Sequence, residues 1–321
     1  MECTNPIHLK GNTYACGKCK ACRVSYTQMW AIRLLYEFSA DYKKGASFIT
    51  LTYDNEHLPK DYGLDKDELQ RFWKRLRINL QRKYHEFAPE IKYYSCGEYG
   101  EKEKIYFSPG AKKPHGRPHY HAIVFGLDNY NDEHREILKK TWQNCESWLF
   151  DKDRGDKSGM LPITPDRIEY TTGYVQKKLS GDPGKEVYGE ATPPFSVCSN
   201  GMGIDFAMKN KDRLVTNGYT MLKGHKIGVP RYFCEKFGLK RSEVLNNIKP
   251  QVDDYNEYWK LFCSDMKKKY GLDYSNPNIW ISHSTLIERR FRSWVDDMQF
   301  EHTKRVFDEY HQYLKLKGVK L

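Results

Sequence analysis

The sequence lacks any apolar run approaching the roughly 20 residues that a membrane-spanning helix requires. It also lacks a basic segment followed by an apolar core at its start, which is the pattern of an export signal. The phosphate-binding pattern Gly-x4-Gly-Lys-Ser/Thr does not occur either. These absences predict a protein with no membrane partner and no helicase motor of its own.

Acidic residues are in short supply relative to basic ones. The 321 residues include 53 Lys and Arg against 42 Asp and Glu, which gives a formal net charge of +11. Such an excess suits a polyanionic partner, nucleic acid above all. The 24 Tyr and 7 Trp residues offer rings on which unpaired bases can stack, although the same rings also serve as core. Composition thus favours nucleic-acid binding without deciding it.

The cysteines do not fit a disulfide framework, because their number is odd and their spacing is tight. Four of the nine lie in the first 22 residues: Cys3, Cys16, Cys19 and Cys22. A C-x-x-C turn brings two thiolates onto one metal ion, and four thiolates complete a tetrahedral zinc site. We predict a structural zinc ion here, with an iron–sulfur cluster or a set of reduced thiols as the alternatives.

Two histidines mark a second candidate metal site. Residues 116–126 contain an apolar run bounded by Gly and Pro, which predicts a β-strand. Alternate side chains of a strand share a face, so His119 and His121 lie side by side. A lone histidine on a strand is more often structural. Two neutral imidazoles on one rigid strand, however, predict a metal-binding pair.

A carboxylate ligand is predicted from the preceding strand. Residues 91–96 are rich in aromatic and β-branched side chains, and Glu98 follows them directly. Sequential strands usually pair, so this segment and the histidine strand form a predicted hairpin. We therefore expect Glu98 beside His119 and His121, with Glu101 as the reserve. Two histidines and a carboxylate leave open positions on a divalent ion, as catalysis requires.

Further segments predict an α+β framework. Helical periodicity covers residues 24–42 and 132–145, and a strand is predicted over residues 46–53. Another helix follows Asp65, which is placed to cap it, with Glu68 three residues later.

The third group of candidate residues lies in a helical segment, residues 168–179. Tyr170 and Tyr174 share a helix face there, and Lys177 lies one turn further on. Gly173 weakens this helix by up to ~1 kcal/mol, so packing is expected to hold it. Two tyrosines at this spacing are more often packing residues than nucleophiles. The metal site upstream favours the catalytic interpretation, because an ammonium lowers a phenol's pKa and a metal ion polarises a phosphate.

These segments, in this order, resemble the three motifs of HUH endonucleases, the rolling-circle replication initiators named for two His flanking a bulky residue. The matching stretches are residues 48–53, 116–121 and 170–178. More narrowly, the Cys-rich start and the stretch Gly97-Glu98-Tyr99-Gly100 resemble the replication initiation proteins of gokushoviruses, which are single-stranded DNA phages of the microvirus group. The resemblance covers roughly residues 1–180.

The resemblance implies an HUH nuclease domain with a central, mainly antiparallel β-sheet flanked by helices. His119, His121 and Glu98 would bind Mg2+ or Mn2+. Tyr174, the better single candidate, or Tyr170 would attack a DNA phosphodiester, leaving a free 3′-hydroxyl primer and a 5′-phosphotyrosine link. The reverse attack rejoins the strand without ATP. The implied partners are the single-stranded phage origin and the replication machinery of the host, in the host bacterial cytoplasm.

We predict three regions along the chain: a Cys-rich segment at residues 1–30, the nuclease domain at 31–190, and a mixed, mostly helical accessory region at 191–321. Residues 181–194, rich in Gly and Pro, are interpreted as a linker. Residues 284–316 are predicted to be helical. The role of the accessory region stays open between DNA binding, docking of a host factor and scaffolding.

Two other functions remain open. One is a non-catalytic nucleic-acid-binding protein built on the four cysteines and basic helices. The other is a His-metal hydrolase that activates water and forms no covalent adduct.

Overall fold

The computed structural model describes residues 3–9, 11–100, 105–145, 150–177, 182–222, 225–247, 251–275 and 305–319, with positions 286, 287, 290, 291 and 294. Glu101 and most of the helix predicted over residues 284–304 lie outside the described residues. The chain forms two compact units, one of Met1–Gly203 with Tyr313–Leu321 and one of Ile204–Gln312. Within the described part, no helix has the length and apolar character to cross a membrane.

The first unit is built on β-strands. They are β1 (Ile7–Leu9), β2 (Asn12–Tyr14), β3 (Ala46–Thr52), β4 (Lys92–Tyr99), β5 (Pro118–Phe125), β6 (Met160–Pro162) and β7 (Phe195–Cys198). Five of them form one antiparallel sheet in the order β6-β3-β5-β4-β7, and β1 pairs with β2 alone. The histidine strand β5 is central. The predicted α+β class, the antiparallel sheet and the β4–β5 hairpin are confirmed.

Helices flank this sheet. They are α1 (Lys20–Ala40), α2 (Lys66–Tyr84), α3 (Asp132–Thr141), α4 (Pro165–Lys177) and α5 (Asp182–Tyr188), with short 3-10 helices at Tyr42–Lys44, His85–Phe87 and Lys152–Lys157. Helix α2 begins where predicted, because the side chain of Asp65 accepts a hydrogen bond from the backbone N–H of Glu68 at 2.8 Å.

The linker predicted over residues 181–194 is wrong, since α5 occupies much of it. Pro183 lies in the first turn of α5, where a missing N–H costs nothing because it would have no helical partner. The backbone of Gly189, just past the last helical residue, has a φ of +55° and ends the helix. Turn-forming residues therefore bound a helix here rather than an open linker.

The two faces of the sheet have different surroundings. On one face, Tyr120 and Val124 of β5 lie in an apolar core with residues of α2, such as Trp73. The hydroxyl of Tyr120 is buried there and donates to the carbonyl of Asp65 at 3.0 Å. On the other face, where His119 and His121 lie, α4 packs against α1, β4 and β5. The alternation of β5 thus separates core residues from site residues.

The second unit contains short elements and one long helix. They are α6 (Ile204–Lys209), α7 (Lys211–Asn217), β8 (Tyr219–Leu222), β9 (His225–Gly228), α8 (Arg231–Lys236), α9 (Arg241–Leu245) and α10 (Gln251–Tyr270). Strands β8 and β9 form an antiparallel hairpin. An aromatic cluster that includes Phe262, Tyr274 and Phe291 packs around α10. The chain is also helical from residue 305 to residue 316, within the part predicted to be helical.

Candidate metal and tyrosine site

The pairing of β4 with β5 brings the three predicted metal ligands together. Glu98 lies directly opposite His119 in the register, so both side chains project from the same face of the sheet. One oxygen of Glu98, Oε1, lies 2.7 Å from His119 Nε2 and 3.4 Å from His121 Nε2. The three candidate ligand atoms all lie within 4.8 Å of one another. This group can hold a metal ion.

Hydrogen bonds on the other ring nitrogens orient both histidines. Nδ1 of His119 lies 3.0 Å from the carbonyl oxygen of Arg117, and since a carbonyl only accepts, this nitrogen carries a hydrogen. Nδ1 of His121 lies 3.0 Å from Oγ1 of Thr50. A ring held in this way presents its Nε2 to a metal ion. Both Nε2 atoms face the same oxygen of Glu98.

Glu98 remains a carboxylate despite its burial. Burial opposes ionisation, but hydrogen bonds and positive charge from His119 and His121 lower the pKa of Glu98 to about 2. The side chain is 9% exposed. A lone pair on Nε2 of His119 cannot lie 2.7 Å from a carboxylate oxygen unless a cation, either a proton or a metal ion, lies between them. The donor set therefore fits a divalent metal ion.

The tyrosine helix lies against this group. The ring of Tyr174 is parallel to that of His121, and their centroids are 5.1 Å apart. Tyr170 meets the His121 ring edge-on at 5.4 Å and the ring of Tyr174 at 4.7 Å. Tyr174 is 3% exposed, whereas Tyr170 is 52% exposed. The two tyrosines thus form an inner and an outer member of one aromatic group beside the metal site.

The surroundings of Tyr174 keep its phenol neutral. Burial raises the pKa of Tyr174 above its ordinary value, and the hydroxyl of Tyr170 and the carboxylate of Glu98 raise it further. A positive charge in the site would act in the opposite direction. The acid–base state of Tyr174 therefore depends on what the three ligands bind.

Packing holds helix α4 in place, as its composition predicts. Thr164 accepts a hydrogen bond from the backbone of Arg167 at 3.2 Å at the helix start. The backbone carbonyl of Thr171 accepts a hydrogen bond from Cys96 of β4 at 3.6 Å, and that of Thr172 accepts one from Thr27 of α1 at 3.3 Å. Lys177 is the last residue of α4, and its side chain lies outside the described part of the structure.

The four N-terminal cysteines also converge, as predicted. Cys16 Sγ lies 3.9 Å from Cys22 Sγ, and Cys19 Sγ lies 3.9 Å from Cys3 Sγ. All four sulfur atoms lie within 4.8 Å of one another, and none forms a disulfide. Backbone hydrogen bonds from Cys22 and Thr4 lower the pKa of the Cys19 thiol to about 5. This second group can also hold a metal ion.

Thr50 is a site residue that the sequence analysis missed. It lies opposite His121 in the register between β3 and β5. Its only signal in the sequence is a hydroxyl at an alternate position of an otherwise apolar strand, on the same face as Thr52. Which of the two contacts a histidine depends on register, and no local pattern gives that.

Comparison with known proteins identifies the family. The family model for the replication-associated protein ORF2 group matches residues 46–179, which run from the start of β3 past the end of α4. Replication-associated protein ORF2 of Spiroplasma virus 4 is 27% identical over 245 residues, which cover 74% of this chain and 70% of that protein. The chain belongs to the microvirus replication-associated proteins. The predicted resemblance to microvirus replication initiators is thereby confirmed.

Other members of this family agree. Replication-associated protein ORF4 of Chlamydia phage 1 is 28% identical over 260 residues, covering 78% of this chain and 59% of that protein. Replication-associated protein VP4 of Bdellovibrio phage phiMH2K is 26% identical over 267 residues, covering 76% and 79%. No solved structure matches the chain significantly. The family match contains Glu98, both histidines and both tyrosines, and excludes the four N-terminal cysteines.

Proposed function

We propose that this replication-associated protein is an HUH-type endonuclease that nicks and rejoins single-stranded DNA at a phage origin in the host bacterial cytoplasm. The observation that carries the proposal is the stacking of Tyr174 on His121, which brings a potential nucleophile onto a potential metal ligand. The names of the relatives support a role in replication. We assign the nuclease to residues 31–190, with residues 1–30 as the Cys-rich segment and 191–321 as an accessory region.

Glu98, His119 and His121 are the proposed ligands of a catalytic Mg2+ or Mn2+ ion. Three protein ligands leave positions for a phosphate oxygen, which suits a catalytic rather than a structural site. When bound, the ion supplies positive charge that polarises the phosphodiester and lowers the pKa of a nearby phenol. The orienting hydrogen bonds from Thr50 and Arg117 hold the imidazoles ready for this role.

Tyr174 is the proposed nucleophile. Its phenol oxygen bonds to phosphorus, the bond from phosphorus to the 3′ oxygen breaks, and that oxygen leaves as a 3′-hydroxyl after taking up a proton. The phenol proton passes to solvent, so the exchange replaces one phosphoester with another. Attack by a 3′-hydroxyl on the phosphotyrosine reverses the step and rejoins DNA without ATP. Tyr170, exposed beside Tyr174, is placed for a second strand transfer.

Lys177 is proposed to assist this attack. It lies three residues after Tyr174 in the last turn of α4, and positions three apart lie on one side of a helix. An ammonium near a phenol favours its ionised form. Its effect would oppose the burial that raises the pKa of Tyr174.

A denaturing gel with a labelled single-stranded origin oligonucleotide tests the proposal. The full chain and the variants Tyr174→Phe, Tyr170→Phe and His121→Ala are each run with and without Mn2+. Tyr84→Phe serves as the matched control, because Tyr84 bonds to Glu133 and is not part of the tyrosine–histidine group. We expect a metal-dependent covalent adduct in the wild-type and control proteins, and none in His121→Ala or Tyr174→Phe.

Two results would contradict the proposal. Cleavage without an adduct would indicate that metal-activated water is the nucleophile, as in a His-metal hydrolase. Tight binding to a verified origin, with no cleavage by any protein, would indicate a non-catalytic nucleic-acid-binding function. An adduct lost only in Tyr170→Phe would transfer the role of nucleophile to the outer tyrosine.

A further inference from the structure

We infer that Cys3, Cys16, Cys19 and Cys22 bind one zinc ion, and that this ion fixes the start of α1 and thereby the tyrosine helix α4. The zinc site stands on its own geometry. The effect on α4 deepens the proposed function and rests on it, because α4 carries both candidate nucleophiles.

The sulfur positions already match a tetrahedral site. With zinc–sulfur bonds of about 2.3 Å, neighbouring sulfur atoms of a tetrahedron lie about 3.8 Å apart. The Cys16–Cys22 and Cys19–Cys3 sulfur pairs are each separated by 3.9 Å. A disulfide would require about 2.05 Å, and all four residues are free thiols. The arrangement therefore suits four bonds to one ion better than it suits oxidation.

Backbone amides support the sulfur atoms as they do in metal knuckles. The backbone N–H groups of Lys18 and Cys19 donate to Cys16 Sγ at 3.4 and 3.3 Å, and that of Cys16 donates to Cys3 Sγ at 3.3 Å. N–H donors stabilise negative charge on sulfur and orient the ligand around its ion. They also draw Cys3 back to the C-x-x-C turns, so the loop through β1 and β2 is closed at the same point.

The start of α1 depends on this site. Cys19 is the residue just before α1, and Cys22 lies in its first turn. The cap position has no side-chain hydrogen bond, and no acidic residue lies in the first turn. Helix starts are usually stabilised by such acceptors or by negative charge. Four thiolates around a zinc ion carry net negative charge and provide that stabilisation here.

Helix α1 in turn supports α4. Thr27, in the second turn of α1 after Cys22, donates from Oγ1 to the carbonyl of Thr172 at 3.3 Å. Thr172 lies between Tyr170 and Tyr174 in α4, and it is fully buried. The same part of α1 is anchored to the sheet, because the ring of Trp30 contacts that of Tyr94 at 4.7 Å. Loosening the first turns of α1 would therefore loosen the support of the tyrosines.

Elemental analysis of the purified full chain tests the metal. We expect one zinc per chain, lost in Cys16→Ser and in Cys19→Ser but kept in Cys198→Ser, a cysteine of β7 outside the cluster. Bound iron with visible absorption would overturn the assignment in favour of a cluster. A chain that binds no metal with all four thiols reduced would overturn it altogether. Chelation of the wild-type protein followed by zinc addition gives the same answer if a variant fails to fold.

Hydrogen exchange tests the effect on α4. In zinc-free protein we expect several-fold faster exchange in the first turns of α1 and in α4, with α2 unchanged and full recovery on adding zinc. Thr27→Val should keep the zinc and still speed exchange in α4. Unchanged protection of α4 after zinc removal would overturn the coupling. None of these readouts requires nicking, so a protein that passes them without forming an adduct would contradict only the proposed function.

Discussion

The imidazole of His121 and the phenol of Tyr174 are stacked face to face, with centroids 5.1 Å apart and only 7° between their planes. Phe48 of β3 also lies nearly parallel to the His121 ring, at 5.3 Å. Aromatic contacts thus fix the orientation of this histidine before any ligand binds. A site whose side chains are held by packing loses little entropy on binding metal or substrate.

Loss of the hydroxyl that orients His121 is expected to weaken metal binding. In Thr50→Val the partner of His121 Nδ1 is removed, while the volume and β-propensity of the strand residue are kept. Removal of such an orienting partner typically costs about 10- to 100-fold in metal affinity. Mn2+ titration by electron paramagnetic resonance measures this effect.

Thr52→Val is the matched control for that experiment. Thr52 lies on the same strand and face, but its hydroxyl contacts the sulfur of Cys145 at 3.4 Å. We expect its Mn2+ affinity to equal that of the wild-type protein. Equal losses in Thr50→Val and Thr52→Val would show that the hydrogen bond to His121 has no special role.

The residue between the two histidines is expected to matter for stability instead. The hydroxyl of Tyr120 lies 2.8 Å from that of Tyr53, accepts from the backbone N–H of Asp65 at 2.8 Å and donates to its carbonyl at 3.0 Å. Tyr120→Phe leaves these buried groups without that partner, which costs about 1–3 kcal/mol of unfolding free energy. Tyr53→Phe keeps both Asp65 contacts and should cost less. Urea unfolding compares the two variants, and a larger loss in Tyr53→Phe would contradict this account.

A buried arginine is expected to be irreplaceable by lysine. The guanidinium of Arg135 donates to the backbone oxygens of Asn129, Phe150 and Met160 and to the side chain of Asn129, at 2.6–3.2 Å. An ammonium has three donors at one point and cannot reach all of these acceptors. We expect Arg135→Lys to lower the unfolding free energy by about 1–3 kcal/mol. Arg167→Lys, with one backbone contact, should cost clearly less in the same thermal unfolding assay.

Local patterns in the sequence predicted the elements that form this site. The Asp65 cap depends on neighbouring residues only, and the two-residue alternation placed both histidines on one face. The convergence of the cysteines followed from C-x-x-C spacing in the same way.

Contacts between distant segments could not be predicted. The pairing of Thr50 with His121 depends on strand register, and the bond from Thr27 to Thr172 depends on how two helices cross. Neither leaves a periodic signal. The helix within residues 182–188 was missed for another reason: Gly and Pro there are typical of turns, although Pro is well tolerated in a helix's first turn.

Gly173 of the tyrosine helix offers a last test, because its cost to the helix is not offset by contacts within the protein. A Cβ at this position would meet no atom within 4 Å, and its φ is not positive. Gly173→Ala is therefore expected to raise the unfolding free energy by about 0.5–1 kcal/mol. Gly203→Ala is the contrasting variant, since its φ is +75° and its Cβ would clash with the carbonyl of Arg33; it should be destabilised.

Differential scanning calorimetry of both glycine variants measures these opposite shifts. A destabilised Gly173→Ala would show that the space beside the helix is filled in solution. Since the added methyl group contacts no protein atom, we also expect Gly173→Ala to keep its adduct formation on origin DNA. A more stable protein that forms the adduct more slowly would indicate that DNA passes over this turn of α4, next to the two tyrosines.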